Sequence, residues 1–548
     1  SVIESVEVIK GPASLLYGSD ALGGVLYLNP ERYAPGDSTA VDAKAGYFSN
    51  TLGYEANAGF KTSGDKLKFM ARGNYAAHSD YETGDGQRVT NSRFQEWDLK
   101  TGIGYREDNY KGDLRYNLNS SRTGIPEEIG LQSTSKEVTE PYQAVQNHIL
   151  SLDNSFYYDN SSLDVKFGYL FNNRKEFEEH EEEEGHEEEE PALHMQLETL
   201  NYDVKYHFPK MRNFETILGL QGMFQINSNL GEEFLIPDAT TTDVGLLATT
   251  HYHLDRIDFQ AGIRYDHRNI ASEAMHEPGS KEYIAALERS FNSYNGAIGV
   301  KLDLSSAFNA RLNIASGFRA PNLAELTSYG SHHGTNRFEI GNPELENEQN
   351  YQLDLALEFR NEHLEFYTNA FYNQINDYIY LNPTGELIEE DPVFEYLQND
   401  AELYGGEAGF HFHPHPLDWL HVESSYELVI GKQGNGNYLP LIPAQSILNT
   451  LRVELPQQEW MGKSYASVSL KSVFDQDRTG IFETSTTGYS LLNAGVGSIF
   501  EVGSAALELQ LTGTNLLNKT YISHLSRLKP DGIPNMGRNI MLSTRIVF

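Results

Sequence analysis

"LDVKFGYLFNN", Leu163–Asn173, is the stretch whose reading decides the fold. Leu163, Val165, Phe167, Tyr169 and Phe171 alternate with Asp164, Lys166, Gly168 and Asn172. Side chains that repeat every second residue belong to a strand, with one face apolar and the other polar. The same pattern returns in "AALELQLT" (Ala505–Thr512), where Ala505, Leu507, Leu509 and Leu511 share a face. It returns again in the final "NIMLSTRIVF", with Ile540, Leu542, Thr544, Ile546 and Phe548 on one side. Period-two runs of this kind recur almost everywhere after residue 39, which predicts a large antiparallel sheet.

Composition agrees with strands. The 548 residues include 33 Tyr, 27 Phe and 47 Gly, residues of strands and turns. Mean hydropathy is -0.49, and no run of eighteen apolar residues exists, which excludes a membrane protein built of helices. Cysteine is absent, so neither disulfides nor thiolate metal sites are available, and a metal would be held by His, carboxylate, Met or water. Net charge is -37, a surface that repels nucleic acid and attracts cations.

The connections carry the next level of organisation. Short ones, such as 107–110, 159–162, 254–256 and 361–362, alternate with long ones, such as 79–94, 122–146, 176–196, 270–290 and 318–348. A transmembrane β-barrel has this asymmetry, with tight turns at one rim and long loops at the other. A soluble sandwich has no reason for it, and no fixed-length repeat supports a solenoid. The predicted fold is all-β: a 22-stranded antiparallel transmembrane β-barrel over residues 39–548. A barrel this wide needs a plug. Residues 1–38 are expected to be the C-terminal part of a plug domain, because "SVIESVEVIKGPASLLYG" reads as the middle of a domain.

At this point the chain resembles the TonB-dependent outer-membrane receptors. The resemblance is carried by "VIESVEVIKGPASLLYGSDALGGVLYLNP" (Val2–Pro30), "GFRAPNLAEL" (Gly317–Leu326), "GNPELENE" (Gly341–Glu348), "TNLLNKTYISH" (Thr514–His524) and "GRNIMLSTRIVF" (Gly537–Phe548), in the family's order. It implies a bacterial outer-membrane location, long loops outside the cell, a periplasmic C-terminus and outer-membrane lipid around the wall. It also implies a TonB-type energy-coupling protein as partner, engaged by a segment preceding residue 1. Gly11, Gly18, Gly23 and Gly24 of the plug stretch would permit tight turns inside a crowded lumen.

One segment stands apart. "EFEEHEEEEGHEEEEPALH", Glu176–His194, holds eleven Glu and three His. Those glutamates account for -11 of the net charge and leave -26. In a core such a cluster would need partners. By the strand count it joins strands seven and eight as the fourth outer loop, where it is solvated and repels itself. A divalent cation would relieve that repulsion. His180, His186 and His194 add nitrogen ligands to the carboxylates of Glu181, Glu184, Glu187 and Glu190, a mixture that suits Zn²⁺, although carboxylate-rich loops also take Ca²⁺ and Mg²⁺. A His- and acid-rich outer loop resembles the zinc-importing branch of the family. A plain solvated loop is the alternative.

His332 and His333 fall in the seventh outer loop, between the two mid-barrel boxes. They are candidate metal ligands; in the haem-receptor branch a His in a comparable place binds iron, which makes haem the rival cargo. His411, His413 and His415 alternate with Phe410 and Phe412, so the rings should face lipid and the imidazoles the lumen, as a polar wall or an exit relay for metal. No catalytic constellation stands out, and the chain is not expected to be an enzyme or to require a cofactor. The sequence therefore points to an active importer of a scarce metal, zinc ion first and haem or a metal chelate second. A non-transporting barrel that docks a surface lipoprotein is the reading from another class.

Overall fold

The computed structural model describes residues 3–9, 15–18, 24–178, 190–231, 233–280, 283–332, 337–388, 391–458 and 460–548, with residues 3 and 332 described in their backbone alone. Among these residues, 22 strands hydrogen-bond in chain order, each antiparallel to the next, and close into a barrel. The first wall strand, Ser38–Phe48, pairs with the last, Asn539–Val547, from Asp42↔Val547 to Phe48↔Met541. Phe548 completes the seam by donating its N–H to Val41 O at 2.9 Å. Closure leaves no unpaired edge in the wall, a requirement for any sheet that stands in lipid.

The alternation has the polarity that lipid imposes. On the Leu287–Asp303 strand, Phe291, Ser293, Asn295 and Ala297 are buried towards the interior, whereas Tyr294 and Ile298 are 77% and 62% exposed. Phe167 and Tyr169, from the stretch that opened the sequence reading, are likewise exposed on the outer face. The apolar face of the sheet is thus the exposed one, the reverse of a soluble sandwich. No helix is long and apolar enough to cross a membrane.

One rim carries short turns, such as 64–66, 108–109, 254–256, 361–363 and 503–504. The other carries long connections, such as 79–93, 125–141, 178–192, 273–286, 320–347 and 515–538. The alternation is not strict, because the long-loop rim also contains the tight connection 49–52. Residues 320–347 form an excursion. The strands on either side, Phe308–Arg319 and Glu348–Arg360, pair directly, with Arg319↔Glu348 at the rim. Between them lie a helix, Leu323–Thr327, and a hairpin, Tyr329–His332 with Arg337–Ile340. Asn322 and Glu325 make a reciprocal capping box that starts the helix.

The N-terminal residues form a separate two-stranded sheet, Ile3–Ile9 with Val25–Pro30. Its link to the wall is fastened by Arg72, whose guanidinium bonds Glu31 at 2.7 and 3.0 Å and Asp42 at 2.7 and 2.9 Å. Tyr33 donates to Asp113 at 2.9 Å nearby.

Candidate functional site: the two rims and the lumen

The seventh and eighth wall strands, Ser162–Phe177 and Leu193–His207, pair in register up to Glu176↔Leu193. The described ends of the connection between them, residue 178 and residues 190–192, therefore stand at the long-loop rim. Glu176 is 2% exposed and accepts from Gln143 at 2.8 Å and Arg174 at 3.1 Å, so the first glutamate of the run is a structural group of the wall. Glu190 is exposed. His194 is half-buried, with Nε2 2.8 Å from Asn173 Oδ1. His180, Glu181, Glu184, His186 and Glu187 lie outside the described residues, as does His333. The backbone of His332 pairs with Arg337 at the hairpin tip.

The two mid-barrel boxes meet in space. Arg319 Nη2 and Nε bond Glu348 at 2.7 and 2.9 Å, and its Nη1 bonds both oxygens of Glu325 at 2.8 and 2.9 Å. Glu348 Oε1 also accepts the Ile379 N–H at 2.7 Å. Phe318, Leu326 and Leu345, each 1% exposed, join Ile270, Phe291 and Ile379 in a small apolar core beneath this clamp. A Cβ at Gly341 would sit 2.6 Å from the backbone nitrogens of Thr327 and Ser328, so only glycine fits where the boxes cross. The boxes thus build the foot of the largest loop.

The C-terminal signature does the same for other loops. Asn518 donates to Gly84 O at 2.8 Å and accepts from the Arg538 N–H at 2.8 Å. Asn50 donates to Arg538 O at 3.0 Å. His524 is buried, with Nε2 3.1 Å from Glu483. His276 packs its ring edge-on to Phe234.

Inside the barrel, a cavity of about 790 Å³ separates the plug residues from the wall, lined by Tyr17, Lys166, Asp203, Gln221, Arg264 and Arg268. The plug touches the wall through Leu15 and Leu16, whose carbonyls accept from Arg264 at 3.1 Å and Gln221 at 2.7 Å. Many lumen charges are paired, Arg268 with Asp243 at 2.7 Å and Arg264 with Asp266 at 2.7 Å. Gly18 and Gly24 have φ of 146° and 122°, conformations that glycine adopts freely. Gly11 and Gly23 lie outside the described residues.

At the short-turn rim, His411 and His413 do face away from lipid, since Phe410 and Phe412 are each 38% exposed on the other side. What the sequence reading did not find is their company. The hairpin 361–363 brings His363 beside them, with its ring 5.5 Å from that of His413. The next strand adds His421, whose Nδ1 is 2.8 Å from His411 Nε2. The available signal was the position of all these histidines next to two consecutive short turns, which fold to one rim.

A closed barrel of 22 strands, with the N-terminal residues held against its inner wall, defines the class, an outer-membrane β-barrel. The chain belongs to the family described as "TonB dependent receptor-like, beta-barrel", whose family model matches residues 16–516, and residues 1–25 match the "TonB-dependent Receptor Plug Domain". Proteins of this family are receptors and transporters rather than enzymes. Among curated relatives, the chain is 21% identical to a vitamin B12 transporter of Photobacterium profundum, over 76% of this chain and 62% of that protein. It is 22% identical to a hemin receptor of Yersinia enterocolitica, over 98% of this chain and 79% of the relative. The chain thus spans under two thirds of the length of the B12 transporter. Among solved structures, the copper transporter OprC superposes with a TM-score of 0.83 at 17% identity, over 100% of this chain and 87% of that one. The FrpB iron transporter of Neisseria meningitidis does so with 0.76 at 15%, over 100% and 88%.

Proposed function

We propose that this chain is the barrel of an active outer-membrane importer of a scarce metal, with zinc ion as the cargo and the acidic, histidine-bearing segment as its first point of capture. The observation that supports the reading is that the two strands flanking this segment end, at Glu176 and Leu193, on the long-loop rim. That rim faces the medium and the short-turn rim the periplasm, where the C-terminus also lies. His180, His186 and His194, with Glu181, Glu184, Glu187 and Glu190, supply borderline nitrogen and hard oxygen donors in one segment, as Zn²⁺ accepts. His332 and His333 would add donors from the 320–347 loop. The plug side would couple to a TonB-type protein, which supplies the work of release, and the barrel itself would do no covalent chemistry.

Haem or a metal chelate is the second reading, favoured by the whole-chain likeness to a protein named as a hemin receptor. The two separate in one experiment. Cells lacking the gene are grown under zinc limitation and, separately, with haem as the iron source, and cell zinc is measured. Impaired growth and lowered zinc in the first condition support the zinc reading. Normal zinc with failure on haem moves the assignment to haem. Normal behaviour in both removes the zinc and haem readings and leaves a metal chelate as cargo or a barrel that docks a surface lipoprotein or another partner.

A further inference from the structure

The short-turn rim holds a histidine cluster that the transport reading does not use. Among the described residues, His363, His413 and Asp418 are the one group of three whose ligating atoms all lie within 4.8 Å of one another. His363 Nδ1 is 4.0 Å from Asp418 Oδ1, and His415 Nδ1 is 3.5 Å from Asp418 Oδ2. Behind them stand His411 and His421, stacked at 5.1 Å between ring centroids. The His413 ring lies 5.6 Å from that of His411 and 5.7 Å from that of His421, so the five imidazoles are contiguous.

Two features separate this cluster from an ordinary polar rim. First, His363 Nδ1 is a buried ring nitrogen with no hydrogen-bond partner, the nearest carboxylate, that of Asp418, standing 4.0 Å away. Buried polar atoms are nearly always satisfied, and one left open calls for an explanation such as an ion. Second, two other histidines of the same rim are held by carboxylates, His253 Nδ1 by Asp258 at 2.7 Å and His207 Nε2 by Asp164 at 2.9 Å. In the cluster, by contrast, His411 Nε2 meets the imidazole of His421 at 2.8 Å and the carboxylate of Asp418 stands 3.5 Å or more from the rings.

We infer that His363, His413 and Asp418 form a binding site for one divalent transition-metal cation of the zinc class, with His415 at its open edge. Two imidazoles and a carboxylate are a recurring zinc donor set that leaves a position for water. Metal–ligand bonds of about 2 Å require the three donor atoms to draw closer by roughly 1 Å. Asp418 sits on the exposed turn between two strands and can supply that movement. His411 and His421 hold the ring of His413 from behind and orient it. The site stands independently of the proposed cargo.

The test is metal stoichiometry of the purified full chain in detergent. The protein is stripped with chelator, dialysed against Zn²⁺ and assayed by elemental analysis, with Co²⁺ as a spectroscopic probe. Wild type is expected to hold one equivalent that the His363→Ala/His413→Ala double variant loses and the His207→Ala/His253→Ala variant keeps. Chain lacking residues 178–190 should keep that same equivalent, which separates this site from the acidic loop. Asp418→Asn, a change on an exposed turn that leaves folding intact, should weaken Zn²⁺ binding at least tenfold and dim the visible band of four-coordinate Co²⁺. Equal stoichiometry in wild type and the double variant, an unchanged Co²⁺ band in Asp418→Asn, or no such band in wild type overturns the site.

Discussion

Arg319 and Glu348 are hydrogen-bonded partners across the rim, at 2.7 and 2.9 Å, and they join the two mid-barrel boxes into one unit. Glu348 is 1% exposed, and Arg319 spends its remaining nitrogen on Glu325. Removing the cation leaves two nearly buried carboxylates facing each other without compensation. Breaking such a pair from one side costs about 3–5 kcal/mol. Arg319→Ala should therefore loosen the 320–347 excursion while the wall still closes. Limited proteolysis should cut the variant within that segment at protease levels that spare wild type. Glu348→Ala should be milder, because Arg319 keeps Glu325.

Acid should act on a different loop contact. Glu483 is packed among three loops and accepts the Leu441 N–H at 3.0 Å and the Gly480 N–H at 2.9 Å, beside His524. Burial alone would raise its pKa, but the His524 side chain and the two backbone donors outweigh burial and hold it below the usual carboxylate range. A depressed folded-state value means that the contact contributes fully above the unfolded carboxylate pKa of about 4.3 and is lost as pH falls through the lower folded value. Amide-exchange protection, taken against the intrinsic rate at each pH, should fall in residues 434–445, 474–488 and 515–538 below about pH 4. Glu483→Gln should flatten that acid response and raise exchange at neutral pH.

The lipid face offers a prediction about the wall itself. Ile298 is 62% exposed on the outer surface, whereas its strand neighbour Ala297 is buried on the inner one. Ile298→Arg should cost up to ~2–4 kcal/mol, the range for a cation near the bilayer midplane. The cost would appear as a lower midpoint when folding into lipid vesicles is followed by heat-modifiable gel migration. Asn295→Lys, which faces the interior, should leave vesicle insertion close to wild type. Equal penalties at both positions would contradict the assignment of the two faces.

Much of this architecture was legible before any coordinates. Lipid outside and water inside force a two-residue contrast on each strand, so Phe167 and Tyr169 announce their face by themselves. The strand count of 22 followed from turns, and the order of the boxes pointed to the family. The partnership of Arg319 with Glu348 was not legible, because it is set by strands that meet only after an excursion of 28 residues closes over them. The helix Leu323–Thr327 and the hairpin after it escaped for a related reason: they are too short to show a period. Among the histidines, His411, His413 and His415 were placed on the inner face, but the strand ends at Phe412 and leaves His415 in the exposed turn, and His363 and His421 were overlooked. Their convergence depends on register across three strands, which one strand's pattern does not contain. Of the sequence's nine candidate ligands, Glu190 and His194 are described in full, and His194 turns out to be hydrogen-bonded to Asn173.

The crossing of the two boxes can be probed without touching a charge. A methyl group at Gly341 would stand 2.6 Å from the Thr327 and Ser328 nitrogens, and these are backbone atoms that cannot swing aside. The Gly341 N–H donates to Ser328 O at 2.6 Å, and the next N–H, of Asn342, donates to Glu325 O at 2.8 Å. Accommodating the methyl group means separating the strand from the helix and stretching both bonds. Overpacking of this kind costs about 1–3 kcal/mol. Gly341→Ala should then open the same segment as Arg319→Ala, and the two changes should be less than additive, because each releases the same clamp. Proteolysis rates of the single and double variants measure this directly. Full additivity would mean that Gly341 and Arg319 secure separate parts of the loop.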